Sequence, residues 1–214
     1  MNRAQWLGAA TLLCGALAIA SAPWALHAPW LNFAFKPLAT LAVIGYAWGR
    51  GEGAVRGWVL VGLIFSLAGD IALLWPKEGF LPGLVAFLLA HLAYLVAFTR
   101  VAKFAARPLC FVVYALVASG ILWQLWPGVP GGLRIPVIAY VVCPAAMAAQ
   151  AAVVWRGAAP RGGVLALGGA LFVASDALLA TNKFMTPLPA ASLWILTTYW
   201  AAQWCIASWL GRRA

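Results

Sequence analysis

Acidic side chains are nearly absent from this sequence: Glu52, Asp70, Glu78 and Asp176 are the only four in 214 residues. Charged residues of both signs make up 8% of the chain against 65% hydrophobic, and the mean hydropathy is +0.95. So few charges cannot keep the exterior of a water-soluble domain wet, which excludes that class. The four cysteines (Cys14, Cys110, Cys143, Cys205) sit in or at the ends of apolar runs. None forms a CxxC pair, so neither a disulfide nor a zinc knuckle is expected. Histidine occurs only at 27 and 91. The net charge of +10 suggests nucleic acid at first sight, but the basic residues stand singly or in pairs between apolar runs. Without a basic stripe they read as topology signals, and no nucleic-acid partner is expected.

The rest is apolar runs of membrane-spanning length. A span needs about 20 apolar residues, fewer with tilt or thinning. Eight fit, at 6–25, 33–49, 57–75, 81–99, 108–126, 134–154, 163–181 and 190–210. "HAPW", "GRGEGAVRG", "WPKEG", "WPGVPGG", "RGAAPRGG" and "TPLP" supply turn chemistry at the breaks. The connections are short, so consecutive helices are expected to be antiparallel neighbours. No soluble domain or linker remains, and residues 1–214 read as one integral membrane domain.

Arg3, Arg50, Arg56, Arg100, Lys103, Arg107, Arg156, Arg161, Arg212 and Arg213 fall on one side of these spans. Lys36, Lys77, Arg134 and Lys183 fall on the other. The positive-inside rule then puts both termini in the cytoplasm. The first run, "MNRAQWLGAATLLCGALAIASA", also has the outline of a cleaved signal peptide; it is taken as the first span. The expected fold is all-α, a polytopic protein with eight transmembrane helices in a bacterial inner (plasma) membrane.

Two of the four acids lie in apolar surroundings and in matching frames. "AGDIALLWPK" (68–77) and "ASDALLATNK" (174–183) share Ala, Asp, Leu and Lys at corresponding positions. "FKPL" opening the second span and "LRIPV" opening the sixth also echo one another. These echoes suggest two four-helix halves in parallel orientation. An ionised aspartate at the bilayer centre costs about 2.5–3.5 kcal/mol on insertion scales. Asp70 lies about 7.5 Å below the outer end of its helix, counted to Trp75, and Asp176 a similar distance below Lys183. Both are therefore expected in the outer half of the bilayer, facing protein or a wet cavity. Two carboxylates on one cavity can divide labour, one carrying a proton beside a charged acceptor. That serves hydrolysis through an oxocarbenium-like state and proton-coupled transport equally well.

Other polar groups fall near these acids. Phe80, Phe87, His91, Tyr94 and Phe98 form one aromatic face of the fourth span. On it, His91 is either a satisfied core residue or a partner for an aspartate or water. Tyr199 and Gln203 share a face of the last span and either join helices or line the cavity. Lys36 and Lys183 can pair with the aspartates, bind a lipid phosphate or snorkel to the headgroups. Asp70, Asp176 and His91 would suit several metals, yet a single histidine in the spans matches multi-histidine intramembrane zinc hydrolases poorly. No metal or cofactor is expected. Three functions remain open: a membrane ether-lipid hydrolase, a proton-coupled small-solute transporter and a non-catalytic lipid-binding or scaffolding protein. A helix broken near mid-membrane, for which Pro144 is the clear candidate, would favour transport. A closed polar pocket reachable from the outer leaflet would favour the enzyme.

Five short pieces occur in order and cover most of the chain: "FKPL" (33–38 region), "GDIALL" (69–74), the set Phe80, Gly83, Phe87, His91 and Tyr94, "SDALLATNKF" (175–184) and "YWAAQ" (199–203). Together they resemble the lysoplasmalogenase family, the YhhN-like membrane proteins. The resemblance implies an eight-helix enzyme that hydrolyses the vinyl ether bond of lysoplasmalogens. Its products would be a fatty aldehyde and glycerophosphocholine or glycerophosphoethanolamine. It further implies catalytic roles for Asp70 and Asp176, with an alkenyl lysophospholipid and membrane lipids as partners. Supporting or substrate-binding roles would fall to His91, Lys36, Lys183, Tyr94, Tyr199 and Gln203.

Overall fold

The computed structural model describes residues 2–75 and 77–211. Arg212 and Arg213, which count toward the orientation, and Pro76 of the third break lie outside the described residues. Eight α-helices run α1 (Arg3–Ala20), α2 (Pro29–Trp48), α3 (Gly53–Ala72), α4 (Phe80–Thr99), α5 (Pro108–Leu125), α6 (Arg134–Arg156), α7 (Gly162–Phe184) and α8 (Ala191–Trp209). Two 3-10 turns, Trp126–Gly128 and Gly131–Leu133, join α5 to α6. No strand forms among the described residues.

The helix count follows the expected runs, with shifts at the ends. α2 starts at Pro29 because proline at the first helical position gives up an N–H that would go unbonded anyway. α3 ends at Ala72, so Asp70 sits in its last turn. Asp176 lies about 12 Å along the axis from the end of α7 at Phe184. The two aspartates are therefore not at matching depths within their helices, as counting to Trp75 and Lys183 had implied. Pro144 does not interrupt α6, which continues to Arg156. The broken helix that would have favoured transport is not there.

Six helical segments are long and apolar enough to cross a membrane: Arg3–Ala20, Gly53–Ala72, Phe80–Thr99, Pro108–Gly128, Gly131–Arg156 and Gly162–Phe184. α2 and α8 fall short of that measure. The first carries Asn32, Lys36 and Pro37, and the second carries Thr197, Thr198, Tyr199, Gln203 and four tryptophans. Part of their polar content has a structural destination, because Lys36 and Thr40 of α2 and Tyr199 of α8 are the side-chain partners of Asp70.

Packing is inside-out relative to a soluble protein. Trp123 (86% exposed), Ile135 (80%) and Leu12 (77%) point outward, whereas His91, Gln150 and Gln203 are fully buried. Helix contacts run from α2 to α3, α4, α6, α7, α8 and back to α2, closing a ring of six. α1 flanks it against α2 and α8, and α5 flanks it against α6 and α7. Consecutive helices are neighbours except α4 and α5, because α6 takes the place beside α4. The α4–α5 loop is held to α6 by Gln150, whose amide donates to Ala102 O (2.8 Å) and accepts from Ala105 N (3.2 Å). α3 and α4 approach closely through Gly62 and Gly69, which receive the rings of Tyr94 and Phe87. A Cβ on Gly69 would lie 2.6 Å from the Phe87 ring.

Candidate functional site

Asp70 is presented by the last turn of α3 and is 1% exposed. Its Oδ2 accepts from Thr40 Oγ1 (2.6 Å) on α2 and from Tyr199 OH (2.7 Å) on α8. Lys36 Nζ, one turn before Thr40, stands 3.6 Å from Oδ1. Trp200 Nε1 donates to Thr40 Oγ1 (3.1 Å), which fixes the hydroxyl that serves the carboxylate. Asp70 thus receives two hydroxyl hydrogen bonds and faces a cation. Charge-assisted hydrogen bonds of this kind are roughly twice as strong as neutral ones, and they hold a carboxylate in its acceptor-only form.

Asp176 on α7 has a different set. Tyr140 OH of α6 donates to its Oδ1 (3.0 Å), and His91 Nε2 of α4 lies 3.4 Å from Oδ2. No lysine or arginine pairs with it among the described residues. Its side chain is 12% exposed, compared with 1% for Asp70. The His91 ring is held edge-on against Phe172 (4.6 Å between centroids) and Tyr140 (6.1 Å). A buried histidine beside a carboxylate can hold or relay a proton whichever of the two carries it.

Both aspartates line one cavity of about 720 Å³, walled by α1, α2, α3, α4, α7, α8 and the loops at one end of the ring. Lys36, Asn32, Asn182, Lys183 and Tyr199 line it as well. The α7–α8 loop is folded over by Leu188 N donating to Asn182 Oδ1 (2.8 Å). Trp24 Nε1 donates to Ser192 Oγ (3.0 Å), tying the α1–α2 loop to the start of α8 at the mouth. Lys183 Nζ sits 4.7 Å above the Phe80 ring. The aspartates share this space, but no hydrogen bond joins them among the described residues.

The supporting residues named from sequence divide in two. Lys36 and Tyr199 bind Asp70, His91 faces Asp176, and Lys183 lines the cavity. Tyr94 is outside the lining, its hydroxyl 3.4 Å from Ser66 Oγ. Gln203 is fully buried outside the lining, and neither amide atom has a hydrogen-bond partner. Sequence reasoning passed over Thr40 and Tyr140. Thr40 falls one helical turn after Lys36, and Tyr140 is a lone tyrosine in the middle of an apolar helix; both signals were available. For a metal, Asp176 and His91 form a pair, but no group of three His, Cys, Asp or Glu side chains converges among the described residues.

The sequence of the YhhN family matches residues 31–210. The chain belongs to this family. It is 38% identical over 176 residues to the lysoplasmalogenase TMEM86B of Sus scrofa, covering 81% of this chain and 73% of that protein. The human TMEM86B lysoplasmalogenase is 36% identical over 180 residues, with the same coverage. A lysoplasmalogenase of Mycobacterium tuberculosis is 30% identical over 185 residues, covering 81% of this chain and 67% of its own length. No solved structure matches the chain. α1 precedes the residues matched by the YhhN family, yet Ala18 near its end is part of the cavity wall.

Proposed function

We propose that this protein hydrolyses the vinyl ether bond of lysoplasmalogens, with Asp176 as the acid and Asp70 as a fixed carboxylate. The observation that carries the assignment is the contrast between their partners on one cavity. Asp70 accepts from Thr40 and Tyr199 and faces Lys36, so two hydroxyl donors and a cation favour its ionised form. Asp176 leaves Oδ2 to His91 and the cavity. Membership of the YhhN family and likeness to proteins named lysoplasmalogenase support the substrate. The transporter reading has no comparable support.

The carboxylic proton of Asp176 passes to the alkene carbon farther from the ether oxygen. The π pair forms the new C–H bond, and positive charge spreads over the other alkene carbon and the oxygen. Asp70 places a preorganised negative charge on the same cavity, where an oxocarbenium ion is stabilised without solvent rearrangement. Water adds to the cationic carbon and returns a proton to the Asp176 carboxylate, restoring the acid. The hemiacetal then breaks its bond to the glycerol oxygen, which takes the hydroxyl proton; a fatty aldehyde and glycerophosphocholine or glycerophosphoethanolamine leave. Lys183, which has no carboxylate partner among the described residues, and the Asn182 amide suit the phosphate at the mouth. In this reading all eight helices span the membrane, both termini are cytoplasmic and the site lies in the outer half. Asn32 and Lys36 of α2 and Ser192 and Tyr199 of α8 turn toward the cavity rather than lipid.

The test is aldehyde release from 1-alkenyl-lysophosphatidylethanolamine by the purified protein. Asp176→Asn should abolish turnover, because an amide cannot give up the proton. Wild-type protein that releases no aldehyde, or an Asp176→Asn variant with full activity, refutes the proposal.

A further inference from the structure

A second void meets the cavity at Asp176. It is a narrow groove between α4, α5, α6 and α7, walled by Leu84, Ile121, Val137, Val141, Val173 and Ala180 among others. Phe80, Asp176 and Leu179 line both spaces, whereas Asp70, Lys36, Asn182 and Lys183 line only the cavity. We propose that this groove takes the hydrocarbon chain of the bound lipid, so that Asp176 meets the substrate where its polar and apolar parts join. The inference rests on the ether-lipid reading and adds the path of the chain.

Size and polarity sort the two ends of such a molecule. The cavity offers about 720 Å³ and several polar side chains, and the groove about 30 Å³ among apolar ones. A hydrated phosphate headgroup fits only the first. A chain of methylenes enters the second by turning its apolar side chains aside, and burying those methylenes there costs no polar desolvation. In an alkenyl lysophospholipid the order along the molecule is phosphate, glycerol, ether oxygen, alkene, alkyl chain. The alkene is therefore the joint between the two parts. With headgroup in the cavity and chain in the groove, that joint falls at Asp176 and not at Asp70. Phe80 forms the threshold: its ring stands edge-on to Phe184 at 5.9 Å, with Lys183 Nζ 4.7 Å from its centre. A chain that runs from the cavity into the groove meets this ring.

The test is photo-crosslinking with a 1-alkyl-lysophosphatidylethanolamine that carries a diazirine midway along its chain. The alkyl ether is not a vinyl ether, so the map needs no turnover and reads the chain path whether or not hydrolysis is observed. Adducts competed by unlabelled lipid are expected on peptides containing Ile121, Val137, Val141, Val173 or Ala180. Adducts confined to α1, α2 and α8, or spread over the outer surface without competition, overturn the proposal. Ala180→Phe, which fills the groove, provides a second reading on alkenyl substrates used below their micelle-forming concentrations. It should lower kcat/KM at least tenfold more for a sixteen-carbon chain than for a four-carbon chain; an equal loss for both also overturns the proposal.

Discussion

Replacing Lys36 with methionine leaves Asp70 buried with its hydrogen bonds but without its cation. The side chains of the pair are 8% and 1% exposed, and Nζ lies 3.6 Å from Oδ1. At that separation and an effective dielectric of about 20, their attraction is about 4.6 kcal/mol. Breaking one side of a buried pair typically costs about 3–5 kcal/mol, because the remaining charge is stranded. Thr40 and Tyr199 still donate to Oδ2, and the cavity admits water, so the lower end of that range is expected for Lys36→Met. Asp70→Asn strands the ammonium in the same way. The double variant leaves no charge, and it should recover most of what either single change loses. The measurement is a double-mutant cycle on reversible unfolding in mixed micelles, with a coupling of at least about 2 kcal/mol expected from contacting charges. Additivity within about 0.5 kcal/mol would mean that Lys36 does not hold Asp70, and the argument for Asp70 as the fixed carboxylate would fail with it.

Tyr199→Phe removes the 2.7 Å bond to Asp70 and should cost about 1.5–3 kcal/mol of stability, as for a hydrogen bond to a charged group; unchanged unfolding would show that the bond is not formed. His91→Phe keeps the ring contact with Phe172 but removes the nitrogen facing Asp176, so turnover should fall at least tenfold while the protein still folds; full turnover would remove His91 from the site. Gly69→Ala puts a methyl 2.6 Å from the Phe87 ring and should cost about 1–3 kcal/mol; Phe87→Leu in the same chain should recover part of it, and a neutral Gly69→Ala would refute the close packing of α3 on α4. Trp24→Phe removes the hydrogen bond to Ser192 at the cavity mouth and, being exposed, should change stability by less than about 1 kcal/mol; a larger loss would show that the mouth is a structural joint.

The apolar runs made the helices legible, because apolar length and turn residues mark where a helix runs and roughly where it stops. The two aspartates were legible for the same reason: a carboxylate inside an apolar run is costly enough to need an explanation. The identity of their partners was not. Lys36 can reach an aspartate or snorkel by its composition, and only the packing of α2 against α3 decides between them. Tyr140 and Thr40 carry no charge penalty, so nothing in the sequence forces them to be noticed. Gln203 is the converse case. Its spacing from Tyr199 puts it on the same helix face, yet the cavity ends before it, and a position along the helix axis cannot be read from a face alone. The adjacency of α4 and α5 was misread because short loops imply it, whereas α6 packs against α4 and Gln150 holds the α4–α5 loop to α6.

The ring order explains why neither half of the chain holds a complete site. Asp70 on α3 draws Lys36 and Thr40 from α2 and Tyr199 from α8. Asp176 on α7 draws Tyr140 from α6 and His91 from α4. Each carboxylate thus takes one partner helix from its own half and the last helix of the other half. The pattern supports reading α1–α4 and α5–α8 as related units, since the same exchange occurs twice with different residues. What differs is the chemistry of the partners. Lys36 and Thr40, with Tyr199, surround Asp70 with hydroxyl donors and a cation, while Tyr140 and His91 give Asp176 no lysine or arginine among the described residues and leave an oxygen toward the cavity. These different partners make the two acids an unequal pair. The proposed acid catalysis needs that inequality, because one group must give a proton while the other keeps its charge.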